Sequence, residues 1–279
     1  MPILKDKAII SVDPQFVPHI PARKFCVIKH TNEFNKKMVN LFIAVAASSL
    51  VEYADEIRKA MDTKQFRILF LREDISLDWL PEQLLNSKLP TNKLLAKILL
   101  YSDWHVPERV IKAWADDSQN VLIANARVTG DCLVVSSCAL EKLKIPFTVP
   151  VLRDIPIKER DKFEIDDAGS FIHWPESDTD LDFDALRYLV DPQFKKKLDA
   201  QRMLVEQKFG HAVKTIRELN NLTQPDIESR AGISERQLRR YETEGIKPRI
   251  SSLEKLAKAH NMDLGTYLGK LAEIVNEID

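Results

Sequence analysis

The fold of the C-terminal third is decided by Ile216–Glu242, with the sequence I-R-E-L-N-N-L-T-Q-P-D-I-E-S-R-A-G-I-S-E-R-Q-L-R-R-Y-E. Thr223 and Ser234 are each followed three residues later by an acidic or amide side chain, the spacing of a helix N-cap. Gly232 lies between these two helix starts and tolerates the positive φ that a tight turn requires. The segment therefore predicts two short helices joined by a sharp turn.

The apolar residues of this segment have the spacing of helix faces that close on one another. One set belongs to the two short helices and a second to the helix before them. The predicted contacts join Ile227, Ile233, Leu238 and Tyr241 to Val213, Ile216 and Leu219. We expect five helices between Phe209 and Leu268, with these residues as the core.

The polar residues left on the outside suggest a DNA-binding surface. In a helix-turn-helix, the early residues of the second motif helix contact base edges in the major groove, and arginine matches the two acceptors of guanine. The predicted base contacts are Glu235, Arg236, Arg239 and Arg240. Groups at a helix N-terminus and in basic loops bind phosphates without distinguishing sequence. The predicted phosphate contacts are Thr223, Gln224, Ser234, Lys247 and Arg249.

The pattern I-R-x-x-x-x-L-T-Q-x-x-I-x-x-x-A-G-I-S-x-x-x-L-x-x-Y-E resembles the Cro/C1-type (XRE-like) domain of bacterial and phage regulators, over about residues 209–268. This resemblance implies a homodimeric repressor that binds a palindromic double-stranded operator. It also implies that Gln224 contacts phosphate. The chain departs from the family pattern at Glu228, where a small alanine is usual, and at Gly245, which follows Glu242 by three residues instead of two.

The remaining sequence predicts a multidomain α+β protein. Residues 1–120 form a mixed α/β domain, 121–190 a small β-rich domain, 191–208 a helical connector and 209–279 the all-α helix-turn-helix domain. The charge differs between these regions. Residues 123–192 hold 8 basic and 14 acidic side chains, and residues 193–279 hold 16 basic and 13 acidic ones. Residues 1–122 hold 17 basic and 15 acidic side chains. An acidic middle region beside a mildly basic C-terminal region fits a modular chain in which one module meets a polyanion.

Hydrophobic periodicity predicts the elements of the first domain. Apolar residues recur at three- and four-residue intervals over Glu33–Met61 and over Leu89–Tyr101, which indicates two helices. Short β-branched runs at Ala8–Val12, Phe25–Ile28 and Arg67–Leu71 predict strands. No nucleophile elbow, P-loop or dinucleotide fingerprint is present, and His30, Asp103 and His105 are isolated in sequence. We therefore expect a sensing or oligomerisation domain without enzymatic activity.

The middle region begins with a predicted hairpin, Val121–Val128 and Cys132–Ser136 around Thr129-Gly130-Asp131. Its end contains the pattern I-H-W-P-E-x-D-x-D-L. About residues 121–190 thereby resemble a short bacterial domain of unknown function that occurs alone or fused to Cro/C1-type domains.

A second interpretation of this pattern is a metal site, because histidine and carboxylate side chains are compatible with several divalent ions. The candidate ligands are His173, Asp178, Asp180, Asp182 and Asp184. The favoured interpretation is a helix N-cap at Asp182 and a packed Trp174, so neither metal nor cofactor is expected.

Composition argues against a disulfide-linked, secreted or membrane protein. Three cysteines, Cys26, Cys132 and Cys138, form neither a C-x-x-C pair nor an even set, so reduced thiols are expected. No signal peptide and no apolar run of membrane-spanning length is visible, which predicts a cytoplasmic protein without membrane contact.

Three functional hypotheses remain. The first is a DNA-binding repressor whose upstream domains dimerise it and sense an unknown ligand or partner. The second is an enzyme or toxin-like effector that represses its own operon. The third is a protein-interaction module with a degenerate helix-turn-helix. The helix-turn-helix pattern supports the first hypothesis, and the sequence contains no set of catalytic residues that supports the second.

Overall fold

A computed structural model of the protein describes residues 6–34, 38–76 and 79–277. The chain divides into two compact units, residues 1–190 and 191–279. Among the described residues, the first contains sheets and short helices, and the regular structure of the second is helical. The α+β class, the β-rich middle segment and the helical C-terminal region are as predicted.

The first unit is built around a parallel sheet of five strands. In chain order they are β1 (Lys7–Ser11), β2 (Phe25–Ile28), β3 (Asn40–Ala46), β4 (Phe66–Arg72) and β5 (Ile98–Tyr101). Their order across the sheet is β2-β1-β3-β4-β5, and every neighbouring pair is parallel. Parallel sheets are covered on both faces, which explains why β3 and β4 are almost wholly apolar.

Helices cover the two faces of this sheet. The first face packs on α1 (Ala54–Met61) through Ile57 and Ala60, and α2 (Leu80–Asn86) and α3 (Thr91–Leu94) follow on the way to β5. The second face packs on α4 (His105–Ala115) through Ile111 and Trp114. Alternate residues of β3 point to opposite faces, as a strand requires, so that each face has its own core.

Two predicted helices of this unit are wrong. Residues 35–37 of the predicted helix Glu33–Met61 lie outside the described part of the chain. In the described part of that segment, β3 lies in the middle, and the last eight residues form α1. Leu89–Tyr101 likewise contains the short α3 and then strand β5. The cause is the same in both places: a strand that is buried on both faces has apolar residues throughout, and such a run contains helical spacings as well.

The middle region completes the first unit with two antiparallel sheets. One contains β6 (Ile123–Thr129), β7 (Cys132–Ser137) and β8 (Lys142–Pro146), so the predicted hairpin is confirmed. The other contains β9 (Glu164–Ile165), β10 (Ile172–Trp174) and β11 (Thr179–Leu181). The short α5 (Pro150–Arg153) lies between the two sheets in sequence, and α6 (Phe183–Val190) ends the unit.

The described residues of the second unit form five helices. They are α7 (Pro192–Leu219), α8 (Gln224–Ala231), α9 (Glu235–Thr243), α10 (Ile250–Ala259) and α11 (Leu264–Glu277). The segment predicted as a connector and the first helix of the DNA-binding domain form one continuous helix, α7. Asp191 caps it by accepting hydrogen bonds from the N–H groups of Gln193 and Phe194, both at 3.0 Å.

The core of the second unit contains six of the seven predicted apolar residues. Ile227, Ile233, Leu238 and Tyr241 pack with Val213 and Ile216, but Leu219 is 73% exposed. Leu219 is the last residue of α7, and Leu222, three residues later, belongs to the buried cluster. Leu271 of α11 is also buried here.

None of the helices in the described part of the chain is long and apolar enough to cross a membrane.

Candidate nucleic-acid interface

The turn between α8 and α9 has the predicted capping geometry. The Thr223 N–H donates to Asp226 Oδ2 at 2.7 Å, and the Asp226 N–H donates to Thr223 Oγ1 at 3.3 Å. The Ser234 hydroxyl accepts from the Gln237 N–H at 3.3 Å. Gly232 ends α8 with φ 63°, in the left-handed region. These contacts fix where both helices begin, so that α9 presents a defined face to solvent.

The exposed face of α9 brings the four predicted base contacts together. Arg236, Arg239 and Arg240 are exposed and Glu235 is half-buried, while Leu238 faces the core. Arg240 Nε lies 3.3 Å from Glu244 Oε2 at the surface, an ion pair of small energy in water. For Arg236 and Arg239 no carboxylate of the described residues lies within 4 Å. Two guanidinium groups on this helix are therefore available to an external partner.

The predicted phosphate contacts lie in two places. Thr223 and Ser234 are exposed at the N-termini of α8 and α9. Lys247 and Arg249 follow α9 and border a surface depression of about 560 Å³ that Arg240 also lines. The depression extends to two serines at the start of α10 that the sequence analysis missed, Ser251 and Ser252. A serine pair at a helix start directly after a basic loop is a signal that could have identified them.

Gln224 has an internal partner in this structure. Its Nε2 donates to Glu242 Oε2 at 2.9 Å. Its amide nitrogen therefore holds α8 against α9, and its contact with phosphate stays a prediction.

Glu242 is the centre of a buried ionic network below the α9 surface. Arg217 donates from Nε to Glu242 Oε1 at 2.6 Å and from Nη2 to Oε2 at 3.0 Å. A third donation, from Arg217 Nη1, reaches the carbonyl of Leu222 at 2.8 Å. The two side chains are only 11% and 2% exposed, and the hydrogen bond to Glu242 is the main cause that raises the pKa of Arg217. The network ties α7, α8 and α9 into one body.

Two glycines allow α7 and α9 to approach closely. A Cβ on Gly210 would lie 2.6 Å from the carbonyl oxygen of Glu242. A Cβ on Gly245 would collide with the backbone carbonyl of Glu206 in α7. Gly245 also has φ 65°, so the shifted glycine noted in the sequence serves as both a turn and a close contact. Glu228, the other departure, is exposed and does not separate α8 from α9.

A histidine is buried at the end of α10. His260 is 5% exposed, its Nδ1 lies 2.6 Å from the carbonyl of Leu256, and its Nε2 has no partner among the described residues. Burial lowers the pKa of His260. The folded protein therefore holds this ring neutral, whereas the unfolded chain takes up a proton as the pH falls through the ordinary histidine range.

We expect the free energy of unfolding of the second unit to fall as the pH decreases below about 6.5, by up to about 1.4 kcal/mol per pH unit. Above that range the ring is neutral in both states and contributes no slope. His260→Asn should remove this slope, and His211→Asn, at an exposed position of α7, should keep it. Amide exchange of α10 and α11 across pH 5–8 measures the effect. An unchanged slope in His260→Asn would contradict the assignment.

The other residues singled out in the sequence have local structural contacts. The His105 N–H donates to Asp103 Oδ1 at 2.9 Å, and His30 precedes a short 3₁₀ helix. His173 Nδ1 lies 2.7 Å from Asp180 Oδ1, and Asp182 Oδ1 accepts from the Ala185 N–H as the cap of α6. Trp174 is buried, as the packing interpretation predicts. The described residues contain no group of three or more histidine, cysteine, aspartate or glutamate side chains placed to hold a metal ion.

Ligands of parallel α/β sheets bind at the carboxyl ends of the strands, so this edge is the place to look for chemistry in the first unit. Asp13, after β1, forms a buried ion pair with Arg72 at 2.6 Å. Asp74, after β4, accepts from the Ser48 N–H at 2.9 Å. The polar groups here bind one another. Tyr101, at the end of β5, is buried with an unpartnered hydroxyl, and burial raises its pKa.

Comparison with known proteins identifies the two stretches that the sequence analysis singled out. Residues 213–266 match a family model described as helix-turn-helix. Residues 123–191 match a model described as a protein of unknown function (DUF2442). No curated protein matches the chain, and no solved structure does. The second unit therefore contains a helix-turn-helix, which is a DNA-binding motif.

Proposed function

We propose that this chain is a sequence-specific transcriptional regulator that acts as a homodimeric repressor on a palindromic operator. The observation that carries the proposal is the α9 surface: three exposed arginines project from a helix whose start and packing are fixed by caps and a buried ion pair. Arginine is the side chain that most often contacts guanine in the major groove. The match of residues 213–266 to a helix-turn-helix family supports the same function.

The proposal divides the DNA contacts between α9 and its surroundings. Glu235, Arg236, Arg239 and Arg240 contact bases. Thr223, Gln224, Ser234, Lys247 and Arg249 contact phosphates, with Ser251 and Ser252 beside the last two. A dimer is proposed because one domain of this size contacts only one half-site, and two linked half-sites multiply the affinity.

The first unit has no role in DNA contact in this proposal. Its middle region carries six more acidic than basic side chains, which would repel a polyanion. It dimerises the chain or senses a ligand or partner, without catalysis. The I-H-W-P-E-x-D-x-D-L pattern is proposed as a marker of the middle family, not as a site.

Selection from random double-stranded DNA tests the proposal with the full-length chain. We expect the retained fragments to share a palindrome whose half-sites are about 34–36 Å apart along the axis, or a multiple of that. Arg240→Ala should weaken binding to the operator by about 1–3 kcal/mol and relax specificity at one position in each half-site.

Arg249→Ala is the matched control for a phosphate contact. It should weaken operator and random DNA alike and reduce the salt dependence by about one counterion. Equal loss on both DNAs for Arg240→Ala would assign Arg240 to phosphate instead. Retention of random fragments alone would favour the protein-interaction hypothesis, and a monomer mass on operator DNA in light scattering would refute the dimer.

A further inference from the structure

Strand β5 leaves one edge of the parallel sheet unpaired. It is the last strand in the sheet and pairs only with β4. The carbonyl of Lys97 accepts from the Leu69 N–H at 2.9 Å, and the carbonyl of Tyr101 accepts from the Glu73 N–H at 2.8 Å. Residues that bond to a neighbouring strand alternate along a parallel strand, so Ile98 and Leu100 direct their N–H and C=O groups away from β4. Within the described residues, these backbone groups have no hydrogen-bond partner.

A cleft of about 230 Å³ runs beside this free edge. Ile98 and Leu100 line one side of it. The opposite side is the outer face of the sheet β6–β8, which belongs to the same compact unit. Its polar lining consists of Asn125, Arg127, Ser136 and Lys142. The strand edge thus borders a cavity whose opposite wall carries four polar side chains among the apolar Ala124, Ala126, Val134 and Leu140.

The lining of the cleft is basic although the region around it is acidic. Arg127 and Lys142 are exposed, and no carboxylate of the described residues lies within 4 Å of either. The strand register places Asn125, Ser136 and Lys142 in one row across the sheet. Two unpaired cations on one wall of the cleft favour an acidic ligand.

We propose that this cleft binds an acidic peptide segment of a partner protein, which adds to the sheet as an extended strand beside β5. The reason is the kind of group that is left unpaired. Ile98 and Leu100 each offer one donor and one acceptor, and another extended main chain is the ligand that satisfies both. A simple anion would use the N–H groups and leave the carbonyls unpaired. Acidic side chains of the added strand would contact Arg127 and Lys142 across the cleft.

Binding of the peptide Ac-Glu-Val-Glu-Val-Glu-NH2 to the full-length chain, followed by fluorescence anisotropy with a labelled copy, tests this proposal. We expect saturable binding, with Ac-Lys-Val-Lys-Val-Lys-NH2 at least about tenfold weaker. The amides of Ile98 and Leu100 should exchange more slowly with solvent when the acidic peptide is bound, because they become donors in a ladder. The experiment contains no DNA, so its outcome is independent of the proposed regulatory function.

Reversing the charges in the cleft is the second part of the peptide-binding test. Arg127→Glu with Lys142→Glu should weaken the acidic peptide by at least about tenfold, since two attractions become repulsions. Lys144→Glu is the matched control, because Lys144 lies on the same strand and face as Lys142 but outside the cleft, and it should change binding by less than about threefold. If the double glutamate variant does not fold, Arg127→Gln with Lys142→Gln removes the charges without reversal.

Three outcomes would overturn the proposal. The first is absence of acidic-peptide binding at millimolar concentration. The second is equal binding by the wild type and the double variant. The third is binding of inorganic phosphate that the double variant loses, without protection of the two amides by the peptide, which would assign the cleft to a small anion.

Discussion

Replacing Arg217 by methionine is expected to destabilise the second unit by about 3–5 kcal/mol, because it leaves the Glu242 carboxylate buried without its charge partner. Glu242 is 2% exposed and accepts both of its charged hydrogen bonds from Arg217. Methionine fills similar space, so the loss comes from the uncompensated charge and from the Leu222 carbonyl that loses its donor, and not from a cavity. Amide exchange of α7, α8 and α9 in the full-length chain gives the free energy of opening for this unit alone.

The double variant Arg217→Met with Glu242→Leu separates charge from packing. Replacing both members of a buried ion pair by apolar side chains is often nearly neutral, so we expect most of the lost stability to return. Part of the loss should remain, because Gln224 loses its acceptor on Glu242. Glu244→Ala breaks the exposed pair with Arg240 and should cost less than about 1 kcal/mol. If Arg217→Met lowers the free energy of unfolding as little as Glu244→Ala does, the buried network does not hold the helices together.

The geometry of the helix-turn-helix was predictable because its determinants are local. A cap, a turn glycine and the exposed face of a helix are set by residues within a few positions of one another, as at Thr223, Gly232 and Ser234. The β6–β7 hairpin was predictable for the same reason, since its turn and its alternation lie within one short segment. The contact of each residue with DNA is not decided by these features and stays a prediction.

Two strands of the parallel sheet, β3 and β5, were not predictable from periodicity, whereas β1, β2 and β4 coincide with predicted strands. A strand such as β3, with neighbours on both edges and helices on both faces, has no polar face, and its apolar run also satisfies a helical spacing. Leu219 shows the same limit on a smaller scale. It continues the apolar spacing of α7, but the last turn of that helix extends past the core, so its side chain is exposed. The local sequence shows which residues are apolar, but tertiary packing decides which of them are buried by other elements.

The ionic network and the peptide cleft were beyond sequence analysis for a different reason. Arg217 and Glu242 are 25 residues apart, and although both are fixed positions of the Cro/C1-type pattern, the pattern does not show that their side chains pair. The cleft depends on which strand ends the sheet and on the register of β6–β8, so Ile98 and Arg127 become neighbours of one cavity only in the folded chain. When a site combines residues from separate elements, those residues can be assigned to it only after the topology of the fold is known.

Replacing Gly245 by alanine should destabilise the second unit by about 3–5 kcal/mol, while the same change at Gly232 should cost about 1–2 kcal/mol. The two glycines have nearly equal φ angles, 65° and 63°, so an alanine has the same backbone strain at both. They differ in space. A Cβ at Gly232 meets nothing within 4 Å, whereas a Cβ at Gly245 meets the backbone of Glu206, which cannot rotate away. Amide exchange of α7 and α9 in both variants compares the costs, and equal costs would show that the two helices can separate freely.

Gly245→Ala should also affect DNA binding of the protein that remains folded. The Ile246 N–H donates to the carbonyl of Arg240 at 3.4 Å, so the turn at Gly245 sets the direction of the chain toward Lys247 and Arg249. If α9 moves away from α7, this loop moves with it, and the phosphate contacts weaken before the base contacts do. We expect a reduced salt dependence of operator binding, by about one to two counterions, with the same preferred sequence. Gly232→Ala, whose strain lies at the end of α8, should leave both the salt dependence and the sequence preference unchanged. A changed preferred sequence in Gly245→Ala would instead mean that the contact between α7 and α9 positions the arginines of α9 themselves.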